Sequence, residues 1–203
     1  MSDEMPFVSR GGIKLAHALR AFAIDVAGFT CADLGCNVGG FTDCLLQHGA
    51  ARVCAVDTAY GELAWKLRND ARVRVLERSN ALHVAPPEDF GQQCHCVVID
   101  LGWTRLMHAL PAARAWMRGD GFIIALLKPH YEANQPEREE YMVDGAMSDI
   151  GAEQVTTRVL QSLAEIGFVA GGCEQSPIRG GKSGRRSTRS GNAEWLVLLR
   201  ERQ

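Results

Sequence analysis

The stretch from Phe29 to Gln47, Phe-Thr-Cys-Ala-Asp-Leu-Gly-Cys-Asn-Val-Gly-Gly-Phe-Thr-Asp-Cys-Leu-Leu-Gln, constrains the fold more than any other. A short apolar run ends in Asp33-Leu34-Gly35 and a glycine-bearing turn covers Gly35 to Gly40. Phe41, Cys44, Leu45 and Leu46 then recur at helical spacing. The pattern reads as strand, tight turn, helix. Glycine lets a backbone pass close to a ligand where a Cβ would collide. A turn at the carboxyl end of a strand is where open α/β sheets bind nucleotides.

The glycine pattern is Gly35-x-x-x-Gly39-Gly40, which departs from the dinucleotide G-x-G-x-x-G and lacks the Lys-Ser/Thr pair of a P-loop. A second acid adds weight. Arg52-Val-Cys-Ala-Val-Asp57 reads as another strand ending in a carboxylate, where such folds hold a ribose diol. A nucleoside cofactor without a pyrophosphate, such as S-adenosylmethionine, fits this layout. A plain strand-turn-helix with no ligand would carry the same glycines.

Further along, Arg72 to Leu76, Cys96 to Asp100, Phe122 to Leu127, a strand from Gly167 and the run Glu194 to Leu199 read as strands. Helices are expected over Arg10 onward with Ser9 or a glycine as cap, Tyr60–Arg68, Trp103–Met117 and Ala152–Ile166. Gly119-Asp120-Gly121 is expected to close the third of these. Residues 130–147 read as a long polar connection. The alternation makes a doubly wound α/β sheet of seven strands, mostly parallel, with helices on both faces. The last strand follows the sixth through a short loop and is expected antiparallel. Residues 1–9 read as a lead-in, and 10–203 as one domain.

Composition excludes several classes. The 203 residues are 46% hydrophobic with a net charge of −2, so any nucleic-acid surface must be local. Seven scattered cysteines point to a reducing, cytoplasmic compartment, and Cys94-His95-Cys96 is mis-spaced for zinc. No signal peptide, membrane span or membrane-active amphipathic stretch is legible.

A parallel sheet puts its carboxyl ends on one edge. Asp100 and Lys128 end strands there, beside Asp33 and Asp57, and an antiparallel last strand brings Glu194 to the same edge. Lys14 lies in the helix before the first strand. Two lysines and two carboxylates at one edge suit removal of a proton from a hydroxyl, one lysine acting as base and a second cation beside it favouring its neutral form. A solvated salt-bridge network uses the same residues. Asn80-Ala81 also falls at this edge, where an amide can read an adenine edge or bond its own turn. Arg179, Lys182, Arg185, Arg186 and Arg189 form a basic loop without acids; with Arg10 and Arg20 it is the candidate grip on phosphates.

Val8-Ser-Arg-Gly-Gly-Ile-Lys14-Leu, the Asp33–Leu46 run, Ala55-Val-Asp57, Leu76-Glu-Arg-Ser-Asn-Ala81, Val98-Ile-Asp100, Leu127-Lys-Pro-His-Tyr-Glu132, Ser176-Pro-Ile178 and Gly191-Asn-Ala-Glu194 together resemble the FtsJ-like methyltransferases. The likeness is strongest to their hemolysin-A (TlyA) ribosomal RNA branch. The resemblance implies a Rossmann-like class I methyltransferase fold, S-adenosyl-L-methionine as cofactor, and ribose 2′-O-methylation of RNA, ribosomal RNA above all, rather than DNA. By motif it implies a catalytic tetrad of Lys14, Asp100, Lys128 and Glu194. Cofactor contacts would fall on Asp33, Gly35, Cys36, Asn37, Gly39, Gly40, Phe41, Asp57, Asn80, Ala81 and Asp100. That branch carries an S4-type RNA-binding domain ahead of the first motif. This sequence begins only a few residues before that motif, so the expectation is a chain without that module, leaving room for a partner that supplies it. Leu101-Gly-Trp103 also departs from the branch's usual Val-Ser-Phe. A small-molecule methyltransferase and a non-catalytic cofactor-binding assembly factor are the alternatives.

Overall fold

In the computed structural model, residues 5–181 and 191–202 are described. The elements run α1 (Arg10–Ala21), β1 (Thr30–Leu34), α2 (Gly40–Gln47), β2 (Arg52–Val56), α3 (Trp65–Arg68), β3 (Val73–Leu76), β4 (Cys94–Ile99), α4 (Leu106–Arg114), β5 (Met117–Leu127), α5 (Pro129–Glu132), α6 (Gln135–Tyr141), β6 (Met142–Val143), β7 (Ala146–Met147), α7 (Asp149–Ser162), β8 (Phe168–Gln175) and β9 (Trp195–Glu201). The main sheet has seven strands in the order β3-β2-β1-β4-β5-β9-β8. β1 to β5 pair in parallel, and β9 runs antiparallel to both β5 and β8. The expected architecture is therefore present.

Alternate residues of each strand bury on opposite faces. Leu34, Val97, Ile99, Ile123 and Val197 face α4 and α7, whose Leu106, Leu110, Val155 and Val159 complete that layer. Cys31, Val53, Val98, Ile124 and Leu196 face α1 and α2, against Leu15, Leu19, Phe41 and Leu45. Six of the seven thiols are buried and one is half-buried; all are free, so the strand cysteines pack as small hydrophobes. Among the described residues no His/Cys/Asp/Glu group could hold a metal ion, and no helix is long and apolar enough to cross a membrane.

Five of the expected elements differ in detail. The helix expected from Tyr60 holds only Trp65–Arg68, because Gly61 takes a positive φ of 78° and its amide donates to Glu77. The helix expected from Trp103 starts at Leu106: Trp103 is left-handed (φ 64°), and the buried Glu132 accepts the Leu106 amide at 2.7 Å. Gly119-Asp120-Gly121 does not close that helix but lies within β5, where Met117 already pairs with Cys94. The 130–147 connection is two short helices and a hairpin, with Asn134 and Glu137 forming a reciprocal cap. α7 starts at Asp149, capped by Ser148, and passes into a 3₁₀ turn at Leu163–Ile166.

Candidate active site

β1 and β4 are neighbours at the point where the chain order reverses, and the crevice beyond their carboxyl ends is where such sheets take ligands. Gly35 shapes this crevice. Its φ is 94°, and a Cβ there would stand 2.6 Å from the Asp100 carbonyl oxygen, so only glycine lets the two strand ends approach this closely.

Two clefts open at this edge. The first, about 450 Å³, is lined by Arg10, Lys14, Cys36, Phe41, Lys128 and Glu194, among others. The second, about 360 Å³, is lined by Asp57, Thr58, Ser79, Asn80, Ala81 and Trp103. Gly35, Asn37, Asp100 and Gly102 border both, which makes them one continuous groove over the glycine turn.

Lys128 follows β5 as the N-cap of α5, and its Nζ lies 2.5 Å from Asp100 Oδ1. It also donates to the Leu101 carbonyl at 3.2 Å. An ammonium has three donors, so these contacts leave one for the groove. Lys14 sits on the buried side of α1 and pairs with Glu194, which is only 4% exposed. Glu194 immediately precedes β9. Because Trp195 stands opposite Leu127 in an antiparallel register, Glu194 falls beside Lys128 at the carboxyl rim of β5. The expected quartet thus lines one cleft, arranged as two ion pairs, Lys128–Asp100 and Lys14–Glu194. Lys14 and Glu194 are buried, so this pair is not part of a solvated salt-bridge network.

In the second cleft the Asp57 carboxylate accepts the Asn37 and Ala59 amides, both at 2.8 Å. These bonds hold it in place over the turn. Asn80 Oδ1 accepts the Leu82 amide at 2.9 Å, so it does bond its own turn while lining the cleft. Gly40 and Phe41 line the first cleft; a Cβ on Gly40 would meet Ser9 Oγ at 2.2 Å, so this glycine also seats α1 against α2.

Three expectations need correction. Gly39 borders neither cleft: a Cβ there would strike Leu67 and Leu63, so it serves the packing of α3. Asp33 has no solvent exposure and borders neither cleft; its Oδ2 accepts the Thr42 amide at 2.9 Å and the Thr42 hydroxyl at 2.7 Å, which fastens α2 to β1. Arg179 is not a free phosphate grip, because Asp149 holds its guanidinium through two bonds of 2.8 Å. Arg10 is at the cleft and donates to the Gly181 carbonyl, whereas Arg20 lies at the far end of α1 beside His17. Lys182, Arg185, Arg186 and Arg189 lie outside the described residues. The sequence reading missed Trp103, Gly102, Gly180 and Gly181 as lining residues. Trp103's place depends on its left-handed backbone, which no local pattern announces.

Burial pushes the Asp33 carboxyl up to about 7, against the opposing hydrogen bonds from Thr42. The folded state therefore holds this proton more tightly than the unfolded one. Stability falls as pH rises from about 4, the unfolded value, through about 7. Asp33→Asn keeps an oxygen for Thr42 and has no proton to lose. Its stability relative to the native protein should rise between pH 4 and 8 in denaturant titrations; a pH-independent difference would refute this account.

The fold is a doubly wound α/β sheet whose groove, at the carboxyl rim, carries a lysine–carboxylate centre. The sequence matches the family model described as FtsJ-like methyltransferase over residues 7–191, and the chain belongs to that family. It is 41% identical over 202 residues to the 16S/23S rRNA (cytidine-2′-O)-methyltransferase TlyA of Mycobacterium tuberculosis, covering 98% of this chain and 70% of the relative. It is 37% identical over 198 residues to the putative rRNA methyltransferase YqxC of Bacillus subtilis, covering 97% and 66%. A putative hemolysin from Streptococcus thermophilus superposes with a TM-score of 0.87 at 33% identity, over 100% of this chain and 70% of that one.

Proposed function

We propose that this protein is an S-adenosylmethionine-dependent methyltransferase acting on a ribose 2′-hydroxyl of ribosomal RNA. The observation that carries the reading is the pair of lysine–carboxylate contacts, Lys128–Asp100 and Lys14–Glu194, on one cleft continuous with the Asp57 groove. The relatives' names, which specify ribosomal RNA and in one case a cytidine ribose, support the substrate class.

The residues present fit the cofactor. Gly35 clears the space above the turn, Asp57 offers its remaining lone pairs to a ribose diol, and Asn80 and Ala81 border the end of the groove suited to an adenine. When bound, the cofactor supplies an electrophilic methyl group. Lys128 takes the 2′-hydroxyl proton, while Asp100 fixes the position of Nζ. Lys14 holds the ribose oxygens and Glu194 orients Lys14. Catalysis of this kind is alignment together with proton removal.

The test incubates the purified protein with ribosomal RNA from cells lacking it and cofactor labelled in the methyl group. Label is expected in 2′-O-methyl nucleosides, seen as alkali-resistant dinucleotides. Label on a base, or no transfer to RNA by protein that binds the cofactor, would refute the proposal.

A further inference from the structure

Beyond the two clefts, a third cavity of about 300 Å³ adjoins the quartet. It is bounded by Lys128 and Glu194, by Gly180 and Gly181, and by His130, Tyr131 and Asn192. The reading of the first two clefts gives these last three residues no role. The Tyr131 ring packs on the His130 ring with centroids 4.0 Å apart, giving the cavity an aromatic wall, and on the exposed Trp103 ring at 4.9 Å.

Besides the Glu194 carboxylate, which Lys14 holds, the polar side chains bordering this cavity include the Asn192 amide and the His130 ring. Asn192 Oδ1 accepts the Met147 amide at 2.8 Å, which fixes the side-chain amide and turns its NH₂ away from that contact. No described residue takes those hydrogens. Among the described residues His130 Nδ1 is sealed from solvent without a partner, and the residue borders the cavity. Burial and the nearby Lys128 and Arg138 charges push this imidazole down to about 4, so it is neutral at ordinary pH. A neutral ring whose Nδ1 has no acceptor carries its proton better on Nε2, as a donor.

The geometry points to this cavity as the seat of the target nucleotide's base, with the His130 ring and the Asn192 amide donating to two adjacent acceptors on its pairing edge, as cytosine presents in O2 and N3. This rests on the ribose methyltransferase reading and deepens it. A base splayed out of its stack is recognised in this way, by an aromatic wall and by hydrogen bonds to its pairing edge. The cavity shares Lys128 with the first cleft, so a base held here leaves its own ribose at Nζ.

The experiment uses the full chain, labelled cofactor and ribosomal RNA from cells lacking the protein, digested to nucleosides. The native protein should place label in 2′-O-methylcytidine. His130→Phe keeps a ring and removes the donor; Asn192→Asp keeps the acceptor for Met147 and removes the NH₂. Each should lower kcat/KM by about 10–100-fold, as expected when a buried hydrogen bond to substrate is lost. Cofactor affinity should stay within about twofold, since neither residue borders the Gly35 groove. Native rates in both variants, or native label in another nucleoside, would overturn the assignment while leaving ribose methylation intact. Native rate in only one variant strikes that residue from the assignment. Failure of the unaltered protein to label any ribose refutes the underlying reading and this inference together.

Discussion

Lys128→Met should lower methyl transfer to RNA by about 10²–10⁴-fold, the range that a positioned general base contributes. Methionine keeps most of the apolar stem and removes the amine. Asp100 loses its partner at 2.5 Å, but its side chain is 27% exposed and water can solvate it. The stability cost should therefore be small, about 1 kcal/mol or less. Lys128→Arg separates charge from proton removal. Arginine can keep the contact with Asp100, yet it does not give up its proton in proteins. Both variants should bind the cofactor within about twofold of the native protein by calorimetry. If either retained transfer within tenfold of native, Lys128 would not be the base.

Glu194→Ala should produce the largest loss of stability. The Lys14–Glu194 pair is buried, with side chains 11% and 4% exposed. Removing one partner of a buried pair leaves an uncompensated charge and costs about 3–5 kcal/mol. For a chain of this size that corresponds to a fall in Tm of roughly 6–20 °C. The double variant Lys14→Met, Glu194→Leu removes both charges and should recover most of the stability, because buried pairs replaced by apolar side chains are often neutral. Methyl transfer should stay lost in the double variant. A Glu194→Ala protein melting with the native one would show that Lys14 reaches water, contrary to the structure. Recovery of activity together with stability in the double variant would reduce the pair to a structural role.

Some of this site was legible before any coordinates. Asp57, Asp100 and Lys128 each follow a short continuous apolar run, so their placement at one rim needed only strands running parallel. Glu194 needed one further inference, that β9 runs antiparallel, and the pairing with β5 bears it out. Gly39 and Asp33 were misjudged for one reason. A glycine beside a binding turn can clear space for a ligand or for a neighbouring helix, and here Leu63 and Leu67 occupy the space. A carboxylate ending a strand can face the groove or turn back under the helix it precedes, and Asp33 turns back to Thr42. Arg179 was counted as a phosphate grip because its neighbours in sequence are basic. Its partner, Asp149, lies 30 residues away at the start of α7.

The sequence alone determined the alternation of strands and helices, the central glycine turn and the acids that follow the strands. These are properties of residues close along the chain, where period and turn chemistry act directly. Only the tertiary structure decided which charge meets which. Lys14 and Glu194 stand 180 positions apart, and their contact depends on α1 packing under the rim where β9 begins. The same long-range packing closed the third cavity around His130, Tyr131 and Asn192. Burial turns a separation in sequence into a contact, and the chain's local pattern does not record burial.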